Sequence, residues 1–166
     1  MNPSPTGRVD RRPDGSHDLV VSRRFDAPVD HLWADVTEPA STARWFGTWK
    51  GTPGEGRTVH LQSGFEEGAP WSDVLIRTCR PPHALGVTFE DAAMRWEIDI
   101  DLTADGGGTV LTLTQRSVDA AALGDIGPGW EYYLDMLVAA RNGEPAPSFD
   151  DYHPAQSSWF TDQIAD

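Results

Sequence analysis

From Met94 to Leu102 apolar and polar residues alternate without interruption. Met94, Trp96, Ile98, Ile100 and Leu102 share one parity, and Arg95, Glu97, Asp99 and Asp101 share the other. A strand sends successive side chains to opposite faces, so this segment belongs to a sheet with one buried and one wet face. The run Asp105-Gly106-Gly107-Gly108 reads as a hairpin turn, and the β-branched stretch from Thr109 to Arg116 returns as its partner strand. The cover for the dry face lies nearer the end of the chain. After Gly127-Pro128-Gly129 the period becomes helical, with Trp130, Leu134, Leu137, Val138 and Arg141 on one stripe, and Asn142-Gly143 as a stop.

Further strands are expected over 19–25, 57–62, 72–80 and 85–90, separated by Gly- and Pro-containing turns. Asp26-Ala27-Pro28 ends the first of these. Residues 29–37 then form a helix with Leu32, Trp33 and Val36 on one face, and 41–46 a second, shorter one. The order predicts an α+β domain: a curved antiparallel sheet of about six to seven strands wrapped on a long C-terminal helix, with two short helices after the first strand. The domain is expected over 17–143. Residues 1–16, rich in Pro, Gly, Ser and charge, read as a disordered arm. Residues 144–166 read as an acidic, Pro-rich tail, partly docked because it carries Tyr152, Trp159 and Phe160.

A chain of 166 residues can bury a core without a disulfide or a metal. Cys79 is its one cysteine, which fits a reducing compartment. Residues 1–18 hold no signal-peptide core and no stretch nears the ~20 apolar residues of a membrane span, so a cytoplasmic location is expected. The formal charge of −13 disfavours nucleic acid as a partner. The five histidines are scattered, with no metal-ligand spacing, so no metal site is expected. There is no dinucleotide fingerprint, phosphate loop or nucleophile elbow, so neither a cofactor nor hydrolytic or redox chemistry is expected.

Arg24, Phe25, Ala27, Pro28, Leu32, Trp33, Thr37, Pro39, Trp45 and Phe46 stand in a spaced pattern. Together with Gly129-Trp130, it resembles the activator-of-Hsp90-ATPase-like branch of the START/Bet v 1 (SRPBCC) superfamily. The resemblance covers roughly residues 17–142. It implies a helix-grip fold with a cavity between sheet and last helix. The superfamily includes lipid carriers, hormone receptors, polyketide cyclases and aromatases, a co-chaperone, and proteins that sequester or react sacrificially with enediyne antibiotics. Phe25 directly after Arg24 and the acidic Asp35 depart from the pattern.

Seven tryptophans supply the candidate ligand contacts. Trp45, Trp49 and Trp71 fall near loops at the sheet mouth and would offer flat surfaces to an aromatic ligand; Trp96 and Trp130 fall on core-facing stripes. Tyr133 and Leu137 continue the helical stripe. Arg77 and Gln115 are the polar candidates, joined by Arg95 and Tyr132 should the pocket be catalytic; no catalytic residue is identifiable. The expected function is binding of a hydrophobic, aromatic or polycyclic small molecule by a carrier or self-resistance protein, in a natural-product setting. The alternatives are a cofactor-independent cyclase or aromatase and a co-chaperone-like protein-binding module. Cavity polarity separates them: convergent polar groups favour an enzyme, an apolar wall a carrier.

Overall fold

The alternating segment becomes a central strand of one continuous antiparallel sheet. The structure, a computed structural model, describes residues 2–90 and 94–165. Its strands are β1 (Arg8–Arg11), β2 (His17–Phe25), β3 (Trp49–Lys50), β4 (Thr58–Gln62), β5 (Trp71–Arg80), β6 (Ala84–Glu90), β7 (Arg95–Asp105) and β8 (Gly108–Val118). The α-helices are α1 (Val29–Thr37), α2 (Pro39–Thr42), α3 (Leu123–Asn142) and α4 (Ser157–Thr161). The spatial strand order is β1-β2-β8-β7-β6-β5-β4-β3. The β7–β8 hairpin closes at the pair Asp105 and Gly108, with Gly106 and Gly107 both at positive φ.

Ile98, Ile100 and Leu102 are buried on the inner face and meet Leu111 and Leu113 of β8. Trp130, Leu134 and Leu137 of α3 share that core. On the outer face, ion pairs cross several strands: Arg77 with Asp99 (3.0 Å), Asp99 with Arg116 (2.9 Å), and Arg116 with Asp18 (3.0 Å). Gly143 ends α3 in the left-handed conformation, φ +68°.

The structure departs from the sequence-based expectation at both ends. The sheet has eight strands, because β3 and β1 join it. Residues 8–11, expected in a disordered arm, form β1 and pair with β2. The reason lies 124 to 154 residues along the chain, in side chains that hold this segment down. The Thr6 and Gly7 amides donate to the fully buried Glu131 carboxylate, which Arg23 also pairs at 2.9 Å. Trp159 Nε1 donates to the Gly7 carbonyl (2.7 Å), and the Val9 amide donates to Gln163 Oε1 (2.9 Å).

The long helix begins at Leu123, not at Trp130, so Gly127-Pro128-Gly129 is helical. Proline inside a helix removes a hydrogen bond and disfavours this start. What offsets it is the tail: Phe160 is fully buried against the Gly127 backbone. A Cβ added at Gly127 would lie 2.4 Å from the root of that ring. A paired test follows. Gly127→Ala should destabilise by about 1–3 kcal/mol through overpacking, outweighing its better helix propensity. Gly129→Ala, whose Cβ meets nothing within 4 Å, should stabilise by about 0.5–1 kcal/mol. Urea denaturation of both variants checks the opposite signs. Two changes of equal sign would remove the packing explanation.

Candidate functional site

The sheet curves away from α1 and α2, and a cavity of about 150 Å³ lies in the gap. Its floor is the inner face of β4 to β8, represented by Val59, Ile76, Val87 and Ile98; its roof is Val36, Trp45, Phe46 and Trp49, and α3 contributes Trp130. Among the described residues no charged side chain lines it. The polar groups that do reach it are already engaged. The Thr37 hydroxyl donates to the Trp33 carbonyl (2.6 Å) and the Thr42 hydroxyl to Pro39 (3.3 Å). The indole N–H groups point away: Trp45 donates to Asp35 O (2.9 Å), Trp49 to Thr37 O (2.9 Å), and Trp130 to Gln115 Oε1 (2.7 Å). Each tryptophan therefore offers carbon to the cavity. The Cys79 thiol also lies in the wall.

Beside the cavity runs a larger groove of about 880 Å³. Its walls are aromatic: Phe65, Trp71 and Trp96 on the sheet side, Tyr132 and Tyr133 on α3, Phe149 from the tail. Phe46, Phe89 and Trp130 line both spaces and form the partition between them. Phe46 stacks on Trp130 (centroids 5.7 Å, 11° between planes) and sets its edge against Tyr133 (4.8 Å). The Tyr133 hydroxyl donates to Glu66 of the β4–β5 loop. Burial, and next that hydrogen bond, push the Tyr133 phenol above its usual range, so it stays a protonated donor. Among the described residues Glu66 and Glu67 are the charged ones of the groove wall.

The structure thus divides the candidate residues. Trp45, Trp49 and Trp130 line the cavity; Trp71, Trp96, Tyr133 and again Trp130 line the groove. Gln115 is buried behind Trp130 as its hydrogen-bond acceptor and lines neither space. Leu137 is packed in the core, also away from both. Arg77 sits on the outer face, next to the inward-facing Ile76, and the pairing of β5 with β6 slips between Ile76 and Thr78 and leaves it as the extra residue. There it donates to Thr88 Oγ1 (2.7 Å) and Asp99 Oδ1 (3.0 Å). The same slip turns Cys79 inward. Arg95 faces outward too, paired with Glu90 and Glu97. Asp35, foreign to the family pattern, pairs with Arg141 and ties α1 to α3.

The partition residues Phe46 and Phe89 were not recognisable as site residues: Phe46 stood out only in the family pattern, and Phe89 only as part of a short apolar run. Tyr132 was named for catalysis alone, and Glu66 carried no signal. Among the described residues, no group of three or more His, Cys, Asp and Glu is placed to hold a metal ion, and no helix is long and apolar enough to cross a membrane.

Among curated proteins no significant match is found. Solved structures do match. CalU16 from Micromonospora echinospora is 25% identical, with 98% of each chain covered and a TM-score of 0.78. A Bordetella parapertussis protein, the product of gene BPP1335, is 23% identical over 99% of this chain and 95% of its own, with a TM-score of 0.73. DynU16, a protein in the dynemicin biosynthetic locus, is 21% identical over 80% of this chain and 50% of its own, with a TM-score of 0.69. The latter two show the helix-grip fold alone. The family model described as Activator of Hsp90 ATPase homolog 1-like protein matches residues 26–141, and with the curved sheet, the long α3 and the cavity between sheet and helices it places this chain in that family, within the START/Bet v 1 superfamily.

Proposed function

We propose that the protein binds a small molecule through its hydrophobic, aromatic or polycyclic part and holds it unchanged, as a carrier or sequestering protein. One observation carries this reading: the cavity wall has no charged side chain, and its indole N–H groups and threonine hydroxyls are engaged within the protein. Such a site gains affinity from excluding water and has nothing with which to polarise a carbonyl. Size refines the ligand. A dry cavity of about 150 Å³ is benzene-sized, so a polycyclic molecule would place one ring there and the rest in the groove, displacing Phe46. By analogy of fold with DynU16, a protein in the dynemicin biosynthetic locus, the proposed ligand is a natural product; a part in self-resistance and a cytoplasmic location belong to the same proposal.

The cyclase reading has one observation in its favour, the Tyr133–Glu66 pair in the groove. A phenol held above its ordinary range is a poor acid near neutral pH, and that argues against it.

Titration with naphthalene- and anthracene-class compounds should quench tryptophan fluorescence saturably, with micromolar affinity (about −8 kcal/mol). The bound ligand should also slow alkylation of Cys79 by N-ethylmaleimide. No saturation by a folded sample across the series, or recovery of a chemically altered ligand after several turnovers, would overturn the proposal.

A further inference from the structure

We infer that the groove is a site for a protonated amine, so that the ligand is an aromatic amphiphile with a cationic end. The inference rests on the binding reading above and names the chemistry of its outer part.

Among the described residues the groove wall contains no lysine, arginine or histidine, while both of its charged residues are acidic. Glu66 is aimed rather than free: the Tyr133 hydroxyl donates to it, which orients the carboxylate at the rim without neutralising it. Around it stand the rings of Phe65, Trp71, Trp96, Tyr132 and Phe149. Aromatic faces carry the negative end of a quadrupole and attract cations, most strongly when water is excluded. The chain already uses one of these rings in that way, for Lys50 Nζ stands 4.5 Å from the centroid of Trp71. The formal charge of −13 draws cations and repels anions from the opening. An anionic ligand would face Glu66 and Glu67, with Lys50 on the Trp71 ring as a partial counter-charge. A neutral one would gain at most a hydrogen bond from them.

The partition gives the ligand its polarity. Phe46, Phe89 and Trp130 connect this acidic, aromatic groove to a cavity without charge. The apolar ring goes inward and the ammonium stays at the rim, beside Glu66.

The test uses three ligands with the same ring: 2-naphthylmethylamine, 2-naphthylmethanol and 2-naphthoate, titrated calorimetrically into the full chain at low and high salt. The amine should bind about tenfold more tightly than the alcohol at low salt, and the anion most weakly. The amine-to-alcohol ratio should shrink at high salt. It should fall to about threefold or less in E66Q/E67Q, and Glu67→Gln alone, which leaves the Tyr133 bond intact, should lower it part of the way. Circular dichroism confirms that both variants fold. Equal affinity for amine and alcohol, or a ratio unmoved in the folded double variant, would overturn the inference while leaving the binding reading in place. If none of the three binds, the binding reading falls and this inference falls with it.

Discussion

Trp130→Ala is expected to lower the unfolding free energy by about 3–5 kcal/mol, the range for truncating a large buried aromatic. Trp130 is 5% exposed and does three things at once. It packs in the core, stacks on Phe46 to form the partition, and satisfies Gln115, itself 2% exposed, through its indole N–H. Removing the ring leaves the glutamine carbonyl buried without its partner, which alone costs about 1–3 kcal/mol and puts the loss toward the upper end of that range. Trp130→Phe keeps a ring against Phe46 but drops the donor, and should cost clearly less. Binding should respond in its own way. With the partition opened, cavity and groove merge, and larger ligands should gain relative to benzene-sized ones. Chemical denaturation and a ligand-size series measure the two effects. A stability loss below about 1 kcal/mol would mean that Trp130 is not in the core.

Phe160→Ala should be comparably severe, about 3–5 kcal/mol, although the residue lies in a segment whose sequence reads as a tail. Its ring is fully buried and wedged between two glycine backbones: a Cβ at Gly7 would approach it to 2.7 Å and one at Gly127 to 2.4 Å. Neither glycine can grow to fill the hole without a new side chain, so a cavity should remain. Tyr152, also buried, donates to Asp135 at 2.7 Å and binds the same segment to α3. The expected signature in hydrogen exchange is a joint loss of protection in β1, in the first turns of α3 and around Trp159. A variant within about 1 kcal/mol of the parent, with β1 still protected, would show that the tail moves independently of the domain.

The parts of the fold that could be read from sequence are those whose two sides face different surroundings. β7 alternates because one face meets the core and the other water, and α3 shows its stripe from Trp130 onward for the same reason. β1 carries three charged residues in four positions, and what orders it is Glu131 together with Trp159 and Gln163, far away in sequence. The first turns of α3 were hidden because glycine serves two purposes. It marks turns, but at Gly127 it admits a ring, and nothing local tells these apart. In the site, Trp45, Trp49 and Trp130 were legible because indole is conspicuous. Val36, Phe46 and Phe89 were not, since an apolar side chain facing a small cavity has the same character as one packed in the core. Cys79 could not be placed because the one-residue slip at Arg77 reverses which face each later side chain takes, and no residue type announces the slip.

The tail's grip on β1 also governs how the molecule behaves in a crowd. An eight-stranded open sheet has two borders, each a row of backbone groups able to recruit another chain. At one border β3 is only two residues long. At the other, Gln163 and Trp159 take up the Val9 amide and the Gly7 carbonyl. Shortening the chain at Gly143 would uncover that border, and the truncated protein should self-associate by strand addition, at concentrations where the full chain remains dispersed.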